Sequence, residues 1–159
     1  MPADGSSAPH PTAGSNTTAK CGVVLISHGH TATALLEAAR AIVPGEGLAD
    51  VVALDAGIGQ TPELRIKVCA AIERVDEGRG ILLLADLMGS SPCMCGIAES
   101  AGHGIAVVAG LNLAMLTKLA LLDRRSSPRE LAEACADTAR RSIIVKVNDQ
   151  DGSCDINGK

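Results

Sequence analysis

The sequence predicts an α/β protein with a doubly wound, mostly parallel sheet of about five strands and helices on both faces. Its apolar runs are of strand length and lack an alternation of polar and apolar residues, as expected for strands covered on both sides. Amphipathic helical patterns lie between these runs, and such an order favours a parallel sheet with right-handed crossovers. The 159 residues, 47% of them apolar, suffice for one domain with one core.

Five strands are predicted from these apolar runs. The first four are short and continuous, and the last one, which follows two successive helices, is less regular. The predicted strands span residues 22–27, 50–54, 80–85, 105–109 and 142–147.

The first two helices have clear start and stop signals. Residues 31–43 carry apolar residues at helical spacing, and a Pro-Gly pair at Pro44 ends the pattern. Residues 62–76 repeat the pattern, with Thr61 as the N-cap and Pro62 at the first helical position. Each helix is amphipathic, so each is expected to bury one face against the sheet.

Three further helices are predicted in the second half of the chain. One begins at Ser91, which is followed by proline in the same cap-then-proline form, and ends near residue 100. A strongly apolar helix covers residues 112–122. The last one begins with a capping box formed by Ser127 and Glu130 and ends near residue 141.

The composition excludes several classes of function. Aromatic residues are absent, so no base can stack on an aromatic ring, and a net charge of −4 provides no basic surface for nucleic acid. No apolar run reaches the roughly 20 residues that a membrane-spanning helix needs. The six cysteines, in a chain without a signal peptide, indicate free thiols in a reducing compartment. We therefore expect a cytoplasmic protein.

The composition also divides the chain into one domain and two tails. Residues 1–20 are rich in small and polar residues and lack the features of a targeting peptide, so a disordered tail is predicted there. The folded domain is predicted to span residues 21–147, and residues 148–159 are predicted to form a polar tail.

Polar residues follow two of the predicted strands. His28 follows the first strand and Asp86 follows the third. Ligands and catalytic groups of open α/β sheets collect at the carboxyl ends of the strands, so these two residues meet if their strands are neighbours. A carboxylate that accepts a hydrogen bond from one imidazole nitrogen leaves the other nitrogen with an available lone pair. The pattern therefore predicts a nucleophilic histidine.

The residues around this pair predict an anion site. Ser90, Ser91 and the N–H groups of the helix that they open would hold phosphate, because helix N-termini favour anions. Gly29 and Gly89 would let the backbone approach the anion closely. This set suits a transient phosphoryl group on His28.

Each of these residues also has a purely structural interpretation. His28 lies at a strand-to-helix junction, where histidine often serves as a turn or cap residue. Asp86 is compatible with a strand-end residue that binds local backbone, and Ser91 with a simple helix cap. The convergence of the three at one edge of the sheet favours the functional interpretation.

A metal site is an alternative for the same region. Two nitrogens and two thiolates, a set that zinc accepts, are offered by His28, His30, Cys93 and Cys95. The H-x-H and C-x-C spacings make it difficult to direct all four side chains at one centre, so we assign no metal ligand.

Three segments resemble a known family. They are GVVLISHG, LLLADLMGSSP and VVAGLNLAML, and they occur in this order within a similarity that runs from about residue 22 to residue 147. They resemble the IIA component of the mannose family of the bacterial phosphoenolpyruvate-dependent sugar phosphotransferase system. Three linked motifs are more specific than any single one.

The resemblance implies a phosphotransferase component with a phosphohistidine intermediate. His28 matches the histidine that accepts phosphate from the phosphocarrier protein HPr and passes it to a IIB component for sugar uptake. Asp86 and Ser91 match the family's D-x-x-G-[GA]-[ST]-P stretch. No metal or organic cofactor is implied, because the donor is already activated.

The resemblance also implies partners and an oligomeric state. The link to the membrane components IIC and IID is indirect, through IIB. Family members form homodimers that exchange the C-terminal strand, and the predicted strand at 142–147 is compatible with such an exchange. A phosphohistidine regulatory module without a transport role is an alternative function, as is a small metal-binding protein that uses histidine and cysteine.

The chain departs from the family's pattern at the rim of the site. Met88, Cys93 and Met94 stand where the family often has an aromatic residue and Phe-Asn, and Ala114 replaces a proline. These differences affect the surface on which partner proteins would dock. His30 is not a general family feature. It either gates or tunes the phosphate or is only a residue of the first turn of the first helix, and we expect the latter.

Overall fold

The computed structural model describes residues 18–57 and 61–147. Most of the predicted N-terminal tail and the whole predicted C-terminal tail lie outside these ranges. The disorder of the first tail and the assignment of the second as a polar tail therefore stay predictions. Ala19, near the start of the described part, is buried.

Strands and helices alternate along the described residues as the sequence predicts. The strands are β1 (Gly22–His28), β2 (Val52–Ala56), β3 (Ile81–Ala85) and β4 (Ile105–Ala109). The α-helices are α1 (Thr31–Ile42), α2 (Pro62–Val75), α3 (Ser91–Glu99), α4 (Leu113–Leu119) and α5 (Pro128–Arg141), and a short 3₁₀ turn spans Glu46–Leu48. The predicted caps of α2 and α5 are confirmed, since Thr61 accepts a hydrogen bond from the N–H of Leu64 and Ser127 forms a capping box with Glu130.

The four strands form a parallel sheet in the order β2-β1-β3-β4. Two apolar layers cover it. The helices α1, α4 and α5 pack on one face, and α2 and α3 pack on the other. Consecutive residues of β1 supply both layers, because side chains along a strand alternate between the faces, and every residue from Val23 to Ile26 is buried. The doubly wound α/β fold is therefore confirmed.

The prediction of a fifth strand at 142–147 is wrong for the single chain. Ser142 is the C-cap of α5, and residues 143–147 pair with none of the described strands. Their apolar side chains are exposed, from 64% for Val147 to 84% for Val145. A strand needs the hydrogen-bonding groups of a neighbouring strand, and this segment meets no sheet edge after it leaves α5.

Close packing of α3 on β3 positions the loop between them. A methyl group at Gly96 of α3 would come within 2.8 Å of the Leu83 side chain, so the helix backbone lies directly on the sheet. Leu83 itself is fully buried. The N-terminus of α3 is thereby held at the edge where β3 ends. In the part of the chain that the structure describes, no helix is long and apolar enough to cross a membrane.

We expect Leu83→Ala to lower the free energy of unfolding by about 2–5 kcal/mol, because it leaves a cavity between β3 and α3. Urea unfolding followed by far-ultraviolet circular dichroism measures this change, and the method suits a chain without aromatic residues. Leu121→Ala is the matched control, since Leu121 is exposed and its loss should cost less than about 0.5 kcal/mol. Equal effects of the two substitutions would contradict the assigned packing.

Candidate functional site

The candidate site lies at the carboxyl edge of the sheet, where β1 and β3 end side by side. Ile26 pairs with Ala85 at the end of β3, so Asp86 leaves the sheet beside the last two residues of β1, which still pair with β2. His28 Nδ1 and Asp86 Oδ2 are 2.9 Å apart. The two strands are neighbours, as the sequence argument required, and the two side chains meet. Their roles in a reaction stay a prediction at this point.

The Asp86 carboxylate is fixed by backbone as well as by the ring. Its Oδ2 accepts a hydrogen bond from the N–H of His28 at 2.8 Å, and its Oδ1 accepts one from the N–H of Leu87 at 2.7 Å. Partial burial acts to raise the pKa of Asp86, but these hydrogen bonds and the one from the His28 ring outweigh it and lower the pKa below its usual value. Asp86 is therefore ionised at neutral pH.

The charge state of Asp86 determines the tautomer of His28. An ionised carboxylate only accepts hydrogen bonds, so Nδ1 carries the proton that it donates to Asp86. The neutral ring then has its lone pair on Nε2. The His28 side chain is 46% exposed, and Asp86 is 22% exposed. The arrangement leaves an unprotonated ring nitrogen on a side chain that is accessible at the surface.

The loop after β3 leads directly into α3. Ser90, and not Ser91, is the N-cap: its hydroxyl accepts a hydrogen bond from the N–H of Cys93, and Ser91 is already the first residue of the helix. The structural interpretation of Ser91 as the cap is thus corrected by one residue. Ser90 has the extended backbone that a cap requires, with φ −65° and ψ 155°.

Gly29 and Gly89 have a different role from the one predicted. Both adopt positive φ, 57° and 78°, and an added methyl group at either one would meet nothing within 4 Å. The two glycines are therefore required by the turns that follow β1 and β3, where other residues would be strained. They do not mark a close packing contact with the rest of the chain.

A second pair of histidine and aspartate lies on the other side of β1. His30 is the N-cap residue of α1, but its side chain makes no capping hydrogen bond. Its Nδ1 is 3.5 Å from Oδ2 of Asp55 in β2, and the other oxygen of Asp55 accepts a hydrogen bond from the N–H of Thr33. The sequence argument missed Asp55, although an aspartate at the end of a predicted strand was the signal that identified Asp86.

The remaining histidine and cysteine candidates lie elsewhere. Cys93 and Cys95 are buried on α3, whereas the ring of His30 is exposed. Over residues 18–57 and 61–147, no three His, Cys, Asp or Glu side chains come together as a metal site would require. His103, in the turn before β4, forms an ion pair with Asp76 at the end of α2. This pair lies at the opposite edge of the sheet from His28.

Comparison with known proteins identifies the family of this chain. A family model described as the fructose IIA component of the phosphotransferase system, EIIA-man, matches residues 22–136. The chain therefore belongs to this family of sugar phosphotransferase-system IIA components. A comparison with functionally curated proteins finds no significant match.

Solved structures with the same fold include three IIA proteins. The mannose/sorbose-specific IIA subunit from Enterococcus faecalis is 28% identical, with a TM-score of 0.71 over 82% of this chain and 98% of that chain. The IIA protein associated with the fucose utilisation operon of Streptococcus pneumoniae is 21% identical, with a TM-score of 0.67 over 80% and 93%. EIIA from Streptococcus agalactiae is 22% identical, with a TM-score of 0.63 over 79% and 96%.

The lowered pKa of Asp86 predicts how the pH alters its contribution to stability. A carboxyl with a depressed pKa in the folded state stabilises the fold above its unfolded pKa, about 3.9, and this contribution is lost as the pH falls through the folded value. We expect Asp86→Asn to destabilise by about 1 kcal/mol at pH 7 and progressively less below pH 4.

Urea unfolding of both proteins between about pH 7 and pH 3 tests this expectation. Asp137→Asn is the control, because the exposed ion pair of Asp137 with Arg141 contributes little at any pH. A difference between the native chain and Asp86→Asn that does not change with pH would contradict an ionised, hydrogen-bonded Asp86.

Proposed function

We propose that this chain is a phosphoryl carrier of the sugar phosphotransferase system, with His28 as the residue that carries the phosphoryl group. In this proposal His28 accepts the group from phospho-HPr and passes it to a IIB component. The observation that carries the proposal is the contact between His28 Nδ1 and the ionised Asp86, which leaves Nε2 as the nucleophile at an exposed edge.

The reaction is a displacement at phosphorus. The Nε2 lone pair of His28 forms the new N–P bond while the bond from phosphorus to the donor's imidazole nitrogen breaks, and its electron pair returns to the donor ring. The His28 ring keeps its proton on Nδ1 and becomes positively charged. Asp86 stabilises this charge and fixes the plane of the ring, so that the attacking nitrogen is oriented before the partner arrives.

The neighbouring loop provides groups for the phosphoryl oxygens. The N–H groups of the first turn of α3 point toward the edge where His28 lies, and a helix N-terminus attracts anions. Ser90 and Ser91 open this helix and add hydroxyl groups. In the proposal they bind the phosphoryl oxygens, with Gly29 and Gly89 shaping the two turns that border the site.

The exposed position of the site fits protein partners. Leu87, Met88 and Met94 are large apolar side chains that stay exposed on the loop and helix that follow Asp86. An exposed apolar rim around a reactive group is typical of a surface that other proteins cover. HPr and a IIB component are the partners proposed for it, and the membrane components IIC and IID are reached only through IIB.

Phosphorylation by phosphoenolpyruvate, Enzyme I and HPr tests the proposal. We expect the native chain to gain one acid-labile phosphoryl group by intact mass, and His28→Ala to gain none, because the nucleophile is lost. The adduct should still form on His30→Ala and on His103→Ala. Asp86→Asn should be phosphorylated about 10²-fold more slowly, since an important stabiliser of the developing charge is removed. An adduct on folded His28→Ala would refute the assignment of the carrier residue.

We further propose that the chain forms a homodimer through its C-terminal segment. The outer edge of β4 has no strand partner among the described residues, and a groove of about 760 Å³ lies beside it, lined by β4 and α5. The segment that follows α5, residues 143–147, exposes four large apolar side chains. An open strand edge and an exposed apolar segment are complementary, so the segment of one subunit would pair with β4 of the other.

Light scattering tests the homodimer. We expect the native chain to have about twice its monomer mass of 16.1 kDa, and the double substitution Ile144→Asp with Val145→Asp to have the monomer mass. Charges on both faces of the segment prevent its burial between subunits. Leu121→Asp places a charge on an exposed residue elsewhere and should leave the dimer intact. A native chain that is monomeric at high concentration would exclude this interface.

A further inference from the structure

The loops at the carboxyl edge of the sheet contain no lysine or arginine. None occurs at residues 27–34, 55–64, 86–95 or 110–117, the segments that follow the four strands in the sequence. A cation on another element, Arg140, lines the groove beside β4, at the far end of the strand order from β2. Phosphoryl groups carry a negative charge that a protein ordinarily balances with cationic side chains. Any cationic side chain that these segments supply to the phosphoryl group is therefore a histidine.

His30 is the one further residue of these loops that gains a positive charge near neutral pH. It stands two residues after His28, at the N-terminus of α1. Its side chain is 96% exposed, so it is not part of the core. Although it occupies the N-cap position of α1, its side chain makes no capping hydrogen bond. Among the described residues, Asp55 is the contact partner of this ring.

Asp55 lies beside the ring of His30. The two side chains are 3.5 Å apart, and Asp55 is only 21% exposed. Partial burial acts to raise the pKa of Asp55, but hydrogen bonds from Thr33 and from His30 outweigh it and lower the pKa. His30 is the titratable group that interacts with Asp55, as His28 is for Asp86. Each histidine is thus held by an ionised aspartate of a different neighbouring strand.

We propose that His30, held by Asp55, is a second catalytic residue, whose imidazolium donates a hydrogen bond to the phosphoryl group on His28. The inference rests on the proposed function of His28. His30 neither accepts the group nor transfers a proton; its positive charge balances the phosphoryl oxygens during the displacement at Nε2 of His28. In this proposal His28 is the nucleophile, and His30 is the cation that these loops otherwise lack.

Rates of phosphorylation at several pH values test the role of His30. His30→Gln should be phosphorylated about 3- to 10-fold more slowly than the native chain at pH 6, because an exposed charge stabilises less than a buried donor. The ratio of the two rates should approach one by about pH 8.5, where imidazole is neutral. Taking the ratio removes the pH dependence of the donor and of His28, which both proteins share.

Asp55→Asn removes the negative charge beside His30 but keeps a hydrogen-bond acceptor for the first turn of α1. The amide oxygen can still accept the hydrogen bond from the N–H of Thr33, so thermal unfolding should hardly change. The loss of the carboxylate should slow phosphorylation at pH 6, because the His30 ring is then no longer held by Asp55. His103→Gln is the matched control, since it removes a histidine that is also paired with aspartate, at the opposite edge.

Nuclear magnetic resonance gives a readout that a structural role of His30 would not change. The titration of the His30 ring should move to higher pH when His28 is phosphorylated, and that of His103 should not. A rate ratio that is flat with pH, or a His30 titration unaffected by phosphorylation, would overturn the inference while leaving His28 as the carrier. Failure of the native chain to accept phosphate would instead remove the proposed function and the inference together.

Discussion

The parallel pairing of β1 with β3 is the interaction on which the rest of this molecule depends. It sets the points at which the two strands leave the sheet, and so brings His28 next to Asp86. A slip of one residue would turn every side chain of a strand to the opposite face. Since β1 and β3 are buried on both faces, their side chains fill two different apolar layers and oppose such a slip. The geometry of the site is thus maintained by the core beneath it.

The central position of β1 explains why two histidines can both be paired. β1 lies between β2 and β3, so the turn that follows it has a neighbouring strand end on each side. His28 uses the carboxylate after β3, and His30 uses the carboxylate at the end of β2. An edge strand would offer only one such neighbour. The strand order therefore allows each of the two histidines to contact an aspartate from a different neighbouring strand.

Much of the fold and part of the site could be predicted because local sequence determines them. Buried strands are continuous apolar runs between turn residues, and four of them were placed within two residues of their observed ends. The contact of His28 with Asp86 followed from parallel topology alone. The strand predicted at 142–147 failed because an apolar segment contains no information about whether a partner edge is present. Ser91 was predicted as the N-cap in place of Ser90 because both residues have hydroxyl groups, and proline is tolerated at either of the first helical positions.

Asp55 was missed for a related reason. The second strand was predicted two residues too early, at 50–54, and Asp55, which directly follows that range, lies within the observed strand. Element ends depend on which carbonyl and N–H groups find partners, and composition alone does not fix this. Small errors at strand ends matter in this fold because the functional groups lie there.

The two hydrogen bonds that His28 gives to Asp86 Oδ2 connect the chemistry of the ring to the backbone. One comes from the ring and the other from the N–H of the same residue. A positive charge on the ring pulls the carboxylate toward Nδ1 and so alters its hold on that N–H. Under the proposed function, exchange of this single amide hydrogen with solvent deuterium would therefore distinguish phosphorylated from unphosphorylated molecules.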